Sequence, residues 1–171
     1  IHHGFNRLIF VNGHGSNAMP CALVARRIVN ETADALAAAI SHWNLARDLA
    51  AQIRETPVGG MAHACEYETS WYLFLDPENV KMELAVPDVM ARRTSFTWVD
   101  LMGGEGPVAF TDDWSRISNG SGVEGDPMTA TVEKGRQYAE EEVSNLIRFC
   151  EEFKALPTLA RRNYTARGED N

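Results

Sequence analysis

The sequence predicts an α/β fold with a mainly parallel sheet, and two observations carry that prediction. The first is a short apolar run, Arg7-Leu-Ile-Phe-Val11, which ends at Asn12-Gly13 and precedes a helical pattern. The second is another apolar segment, residues 37–43, which precedes a helical pattern over 45–53. Continuous apolar runs of this length are typical of strands buried on both faces of a parallel sheet. Strand, helix and strand in this order form a βαβ unit.

The first helix is predicted to begin beside the glycine loop and to continue to about Thr32. Ser16 or Asn17 is suited to cap it, and Pro20 is tolerated in its first turn. The segment expected to form the second strand includes Ala35-Leu-Ala-Ala-Ala-Ile40, which favours a helix by intrinsic propensity. We predict a strand there because the parallel sheet needs one.

Further along the chain, two helices flank a long irregular segment. The first is predicted over Glu66–Leu75 and is stopped by Asp76-Pro77. Residues 78–127 show little periodicity, which is typical of a segment that covers a site or an interface. The second helix is predicted to begin at Asp126-Pro127, with Asp as cap and Pro at the first helical position. Its apolar stripe consists of Val143, Leu146, Ile147, Cys150 and Phe153.

Composition excludes several classes of protein. The chain has 171 residues, one domain's length, and none of its apolar runs reaches the roughly 18–20 residues of a membrane span. Its 16 basic residues are scattered among 24 acidic ones, which argues against nucleic-acid binding. Three cysteines without a CxxC pair argue against a disulfide scaffold and favour a reducing, cytoplasmic compartment.

The first candidate site is the loop Asn12-Gly-His-Gly-Ser-Asn17. Ligands of open parallel sheets bind beyond the carboxyl ends of the strands, where this loop lies, and the imidazole of His14 is a natural metal ligand. The alternative is a tight turn in which His14 only hydrogen-bonds its neighbours. A weaker alternative is anion binding at the start of the helix. Ser16 is disfavoured as a hydrolase nucleophile because the loop lacks the Gly-x-Ser-x-Gly order.

The second candidate site is His63-Ala-Cys-Glu-Tyr-Glu-Thr-Ser70 at the start of a predicted helix. Its histidine and two carboxylates could supply the anionic ligand, the base and the acid that metal-assisted hydrolysis needs. The alternative is ordinary helix capping by Glu66 or Glu68. Cys65 is interpreted as a small packing residue, because no neighbouring feature would activate its thiol. The later motif Gly122-Val-Glu-Gly-Asp-Pro127 is interpreted mainly as a turn and a helix cap.

Three segments of the chain resemble the creatininase (creatinine amidohydrolase) family: HGFNRLIFVNGHGSN, HACEYETSWYLFLDPENV and GVEGDPMTATVEKG. The resemblance implies a three-layer α/β domain with a mainly parallel sheet, usually assembled into homo-hexamers. It also implies hydrolysis of a C–N bond in a small amide, lactam or formamide by metal-activated water. One or two divalent metals, zinc, manganese or iron, would serve each site. One branch of the family instead hydrolyses a ring C–C bond of an inosose.

The resemblance also implies roles for individual residues. His14 matches a metal-ligand histidine, and Glu66 is expected to help hold a second metal. His63 matches a histidine that contacts substrate and transfers a proton, and Glu68 is a candidate acid or base, or alternatively a metal ligand. Ser16 stands where creatininase proper has a metal-binding glutamate, so creatinine itself is not the expected substrate.

The chain is expected to form the C-terminal portion of such a domain over residues 1–156, followed by a polar tail over 157–171. It opens without Met, and the family's other ligands, a Glu-x-His pair and an aspartate, would lie in a first half preceding Ile1. The rival hypothesis is a non-catalytic assembly module with an incomplete site. The expected partners are a small-molecule substrate and further copies of the chain, with no nucleic acid and no membrane.

Overall fold

A computed structural model describes residues 1–89, 94–108, 110, 112–118 and 120–159 as a mixed α/β structure. The chain divides into two compact units, one formed by residues 1–42 with the chain from residue 147, the other by residues 43–146. The strands are β1 (Arg7–Asn12), β2 (Leu36–Ser41), β3 (Met61–His63), β4 (Val99–Asp100), β5 (Gly104–Glu105) and β6 (Glu124–Gly125). The helices are α1 (Ala18–Glu31), α2 (Arg47–Ile53), α3 (Glu66–Leu75), α4 (Trp114–Ile117) and α5 (Val132–Ala155).

In the first unit, β1 and β2 form the predicted parallel pair, with α1 as the connection between them. Their register runs from Arg7 opposite Leu36 to Asn12 opposite Ser41. The alanine-rich segment is a strand because pairing with β1 outweighs its helical propensity. The expectation that β1 is buried on both faces is wrong for this structure. Most of its residues are half-buried and Val11 is 53% exposed, since β2 is its only strand partner among the described residues.

The start of α1 confirms the predicted position but not the predicted cap. A single 3₁₀ turn, Gly15–Asn17, leads into the helix, and Asn17 occupies the N-cap position. Its side chain makes no capping hydrogen bond. The helix therefore begins from the geometry of the loop rather than from a side-chain cap.

The core of the second unit lies between α2, α3, β3 and α5. Its buried members are Trp43, Ala50, Met61, Cys65, Tyr67, Met102 and Tyr138. The rings of Tyr67 on α3 and Tyr138 on α5 lie 4.4 Å apart between centroids. The hydroxyl of Tyr67 and the indole N–H of Trp71 both donate to the buried carboxylate of Glu142. This core fixes α3, and with it the second candidate site, against the long helix.

The beginning of α5 differs from the prediction. The helix starts at Val132, because Thr131 caps it by accepting a hydrogen bond from the Lys134 amide at 3.1 Å. Asp126 instead closes a local turn by accepting from the Met128 amide at 2.9 Å. The Asp-Pro pair is thus a turn signal at this position, and the helix follows it by several residues.

The buried face of α5 is also different from the predicted apolar stripe. Tyr138, Ala139 and Glu142 are buried, whereas Val143 and Ile147 are 54% and 56% exposed. Phe153 is the predicted stripe residue that is buried. Glu142 and Lys134 are tolerated on the inner face because they bond partners on α3. No described helix, including α5, has the length and apolar content needed to span a membrane.

Residues 78–127 are mostly irregular where they are described, as predicted, with two 3₁₀ turns, the short antiparallel pair β4–β5 and the one-turn helix α4. The boundary predicted at residue 156 stays a prediction, and the tail from residue 160 lies outside the described residues.

We expect Gly135→Ala to destabilise the second unit even though alanine is the better helix former. Gly135 packs against α3 so closely that a Cβ atom would collide with the carbonyl oxygen of Ser70. Overpacking of this kind costs about 1–3 kcal/mol, more than the roughly 1 kcal/mol that alanine contributes to a helix. Chemical denaturation measures the change. Ser144→Ala, on the exposed surface of the same helix, is the matched control. An unchanged or raised stability of Gly135→Ala would contradict the close approach.

Candidate functional site

The first predicted site loop is fixed by the buried side chain of Asn12 at the end of β1. Its amide nitrogen donates to the carbonyl of His14 at 2.8 Å and to the hydroxyl of Ser41 at 3.0 Å. Its amide oxygen accepts from the backbone N–H of His14 at 3.1 Å. These bonds tie together the carboxyl ends of the two parallel strands. His14 itself is exposed there, at the edge where open parallel sheets bind ligands.

The second site contains an imidazole–carboxylate pair. His63 ends β3 and Glu68 lies in the first turn of α3, with Nδ1 of His63 3.8 Å from Oε2 of Glu68. The same carboxylate oxygen accepts the backbone N–H of Ala64 at 2.5 Å. The two side chains are 38% and 32% exposed, so solutes can reach both. The pair has the composition of a general acid–base pair.

The turn that joins His63 to α3 is under backbone strain. Ala64 has φ of 48°, a left-handed conformation that is uncommon for residues other than glycine. Glu68 holds the Ala64 amide, and the Thr69 hydroxyl donates to the Ala64 carbonyl at 3.3 Å. Strain of about 1–3 kcal/mol that is held by several hydrogen bonds occurs often at functional sites.

Cys65, in the same turn, is fully buried in the core of the second unit. Burial, and secondly the negative charge of Glu68, raises the pKa of its thiol well above the ordinary range. The thiol therefore stays protonated near neutral pH. This agrees with the interpretation of Cys65 as a packing residue rather than a nucleophile.

Glu66 lies in the first turn of α3 but occupies different surroundings from Glu68. Its carboxylate is fully buried and receives the backbone amides of Glu55 and Thr56 at 3.0 and 2.9 Å. The Thr56 hydroxyl and Nζ of Lys134 donate to it as well, both at 2.6 Å. The expectation that Glu66 binds a metal stays a prediction. A metal would have to displace these four donor groups.

The buried pair of Glu66 and Lys134 is held in its charged form. Burial by itself would raise the pKa of Glu66, but hydrogen bonds from Lys134, Thr56 and Glu55 outweigh it and lower that pKa. Burial likewise opposes the charge on Lys134, and its bonds to Glu55 and Glu66 raise its pKa overall. The pair therefore stays ionised at neutral pH and links α3 to α5.

A second buried ion pair fixes the chain just before β3. Arg54 donates to Asp100 through its two terminal guanidinium nitrogens, Nη1 and Nη2, at 2.9 and 2.8 Å, and Asp100 also accepts the Gly59 amide at 2.7 Å. Burial opposes the charge on Asp100, but these donors lower its pKa overall. Sequence analysis singled out neither this pair nor Lys134, because their partners lie 46 and 68 positions away along the chain.

Glu124 is a further acidic residue that sequence analysis assigned only to a turn. It lies in β6, opposite His63 in the antiparallel pair of β3 and β6. It is 6% exposed, and burial, followed by the charge of Asp88, raises its pKa. The next residue, Gly125, has φ of 142° and approaches Gly60 so closely that a Cβ atom would collide with its backbone.

The described residues do not by themselves complete a metal site. No group of three histidine, cysteine, aspartate or glutamate side chains within the described ranges is arranged to hold an ion. Zinc sites in proteins take three or four protein ligands. His14 belongs to the first unit and His63, Glu66 and Glu68 to the second. His63 and Glu68 are the predicted site residues that the structure shows together.

The family model Creatininase, described as creatinine amidohydrolase, matches residues 1–150. Among solved structures, a protein from Bacteroides fragilis NCTC 9343 assigned as a creatinine amidohydrolase is 27% identical, with a TM-score of 0.69. It matches 91% of this chain, which covers 57% of that protein. A manganese form of creatininase and a zinc–zinc form of a creatininase mutant are both 25% identical, with TM-scores of 0.65 and 0.62.

Both metal-containing creatininases match 89% of this chain, which covers 58% of each of them. The chain thus spans less than two thirds of the length of these structural relatives. Among curated proteins no significant match was found. The family match and the solved structures confirm the resemblance and the predicted α/β fold class.

Proposed function

Because this chain belongs to the creatininase family, we propose that it contributes to a metal-dependent hydrolase that cleaves a C–N bond in a small amide, lactam or formamide. The observation that carries the proposal is the partly exposed pair of His63 and Glu68, held at 3.8 Å on a strained turn. The manganese and zinc forms of creatininase support a divalent metal. The substrate class follows from the family description rather than from a bound ligand.

A divalent metal, one or two per site, would polarise the carbonyl group and lower the pKa of water. Among the residues of this chain, we propose His14 as a ligand, because it is exposed at the carboxyl ends of two parallel strands. Glu66 would bind a metal only after exchanging its contacts with Lys134 and Thr56.

The chain's own residues supply the proton transfers. Glu68 acts as the base: its carboxylate takes the proton of a water molecule as the oxygen forms a bond to the carbonyl carbon. The Ala64 amide keeps Oε2 of Glu68 in place for this step. Glu68 passes this proton to His63, whose Nδ1 lies 3.8 Å from Oε2. His63 gives a proton to the nitrogen as the C–N bond breaks, so the amine is formed in neutral form, as a separate product or, from a lactam, at the end of the opened ring. A positioned acid or base of this kind contributes about 10²–10⁴-fold to a rate.

We also propose that the protein works as a homo-oligomer, as the resemblance implies, and in the cytoplasm, the reducing compartment that its cysteine pattern favours. Apolar side chains exposed on α1 support an assembly: Met19 is 82% exposed, Leu23 67% and Val24 44%. Clusters of exposed apolar residues on soluble proteins mark interaction surfaces. A non-catalytic assembly module remains the rival proposal. The observation that favours it is that no three metal-ligand side chains converge among the described residues.

We expect His14→Ala to lower metal affinity in the whole protein by at least tenfold, because loss of even an outer-sphere partner costs about 10–100-fold. Metal content after dialysis is measured by mass spectrometry, and hydrolysis is assayed on a panel of lactams, formamides and an inosose. His2→Ala, at another exposed histidine, is the control. Equal metal content in both variants, with no turnover of the panel by the unsubstituted protein, would favour the assembly module.

A further inference from the structure

Asn12 and Ser41 are buried polar residues at the carboxyl ends of the parallel strands β1 and β2. They are partners in the strand register, and they are 6% and 7% exposed. The amide nitrogen of Asn12 donates to the Ser41 hydroxyl at 3.0 Å, so a side-chain hydrogen bond joins the two strand ends. Both residues belong to the first unit, as does the loop that contains His14.

The side chain of Asn12 also holds the backbone of His14. Its amide oxygen accepts the N–H of His14 at 3.1 Å, and its amide nitrogen donates to the His14 carbonyl at 2.8 Å. The same carbonyl accepts the backbone N–H of Asn17 at 3.0 Å. Both backbone polar groups of His14 are therefore bonded, in an extended conformation with φ of −146° and ψ of 130°. A side chain on a backbone that is already fixed loses less conformational freedom when it binds a ligand.

We propose that Asn12 is a positioning residue for a metal ion bound by His14. It fixes the backbone of His14 at the carboxyl ends of β1 and β2, so that the exposed residue is held in place before the metal arrives. Asn12 is not itself a ligand in this proposal, because the loop and Ser41 already engage its amide oxygen and nitrogen. The inference deepens the proposed function and rests on its assignment of His14 as a ligand.

The test is a double-mutant cycle of Asn12→Ala and His14→Ala in the whole protein. Zinc affinity is measured by competition with a chromogenic chelator. We expect Asn12→Ala to weaken zinc binding by about 10–100-fold, the usual effect of removing an outer-sphere partner. In the His14→Ala background the same substitution should have little further effect, since the ligand that Asn12 positions is gone. Asn145→Ala, which removes a hydrogen bond to the carbonyl of Leu45, is the matched control and should leave zinc affinity unchanged.

Thermal unfolding of the metal-free protein separates this role from a structural one. Asn12 bonds backbone atoms of residue 14, which alanine retains, so Asn12→Ala should lower the melting temperature equally with and without His14. Coupled zinc affinities with additive melting temperatures support the proposal. Equal losses of zinc affinity in the two backgrounds overturn it, as does a zinc affinity that either single substitution leaves unchanged. If Asn12→Ala does not fold, Asn12→Leu, which is closer to asparagine in volume, replaces it in the cycle.

The hydrolysis panel then keeps the two proposals apart. Coupled zinc affinities without turnover of any panel substrate contradict the proposed function and leave the positioning role of Asn12 supported. Turnover of the panel with equal losses of zinc affinity in the two backgrounds supports the proposed function and rejects the role of Asn12.

Discussion

Lys134→Met is expected to lower the free energy of unfolding by about 3–5 kcal/mol, because it leaves the buried carboxylate of Glu66 without its counter-charge. The side chain of Lys134 is 10% exposed and that of Glu66 fully buried. Lys134 also bonds Glu55 and the carbonyl of Thr129, so one substitution removes three contacts. Urea denaturation followed by circular dichroism measures the loss.

Two variants control this experiment. Lys154→Met removes a lysine from the exposed surface of the same helix and should change the free energy of unfolding by less than about 1 kcal/mol. The double variant Lys134→Met/Glu66→Met removes both charges and should recover much of the stability, since an apolar pair of similar volume often replaces a buried ion pair without loss. Equal losses in the double and single variants would contradict the role of the ion pair.

The pH dependence has a definite sign. The folded-state pKa of Glu66 is lowered, so its ionised carboxylate contributes to the free energy of unfolding above the unfolded-state pKa of about 4.3. This contribution is lost as the pH falls through the lower folded-state pKa. The difference in stability between the unsubstituted protein and Lys134→Met should therefore be large at pH 7 and shrink as the pH falls below the unfolded-state pKa. A constant difference across this range would show that charge is not the cause.

Glu68→Gln is expected to reduce kcat by about 10²–10⁴-fold while leaving the fold intact. The glutamine oxygen still accepts the Ala64 amide, so the strained turn keeps its support, but the side chain no longer takes up a proton at neutral pH. Steady-state kinetics of the metal-loaded whole protein on the best substrate of the panel measure the change. The melting temperature is measured in parallel.

Glu78→Gln, at an exposed glutamate after α3, controls for the loss of one negative charge. His63→Gln should also reduce kcat, and the double variant with Glu68→Gln should lose much less than the product of the two single losses, because the residues act as a unit. Full activity of Glu68→Gln would remove Glu68 from the mechanism. A lowered melting temperature in that variant would point to a structural role instead.

Elements defined by local sequence could be predicted, and elements defined by distant partners could not. The βαβ unit and the limits of α3 followed from apolar runs and from the Asp76-Pro77 stop. The inner face of α5 did not. It is set by Glu142, which accepts from Tyr67 and Trp71 about 70 residues earlier, and by Gly135, which fits against a single carbonyl. The periodicity of the sequence selects the most apolar stripe of α5, and that stripe is not the face that is buried.

The same distinction holds for the candidate site. His63 and Glu68 are five positions apart across one turn, so their proximity was accessible from the sequence. The two neighbouring glutamates of α3 look equivalent in sequence, yet Glu66 meets Lys134 in the interior while Glu68 stays accessible. Nothing local distinguishes them. The cross-strand position of Glu124 likewise depends on pairing between segments 61 residues apart, 124 minus 63.

Residues with different roles are adjacent in the first turn of α3, and this limits how the protein could be changed by protein engineering. Glu66 anchors the interior and Glu68 faces the outside, and the core residues Cys65 and Tyr67 alternate with them. Libraries that randomise this turn would therefore yield mostly unfolded variants. Diversity introduced just beyond the helix, at exposed positions such as Glu78, disturbs fewer contacts and is the better starting point.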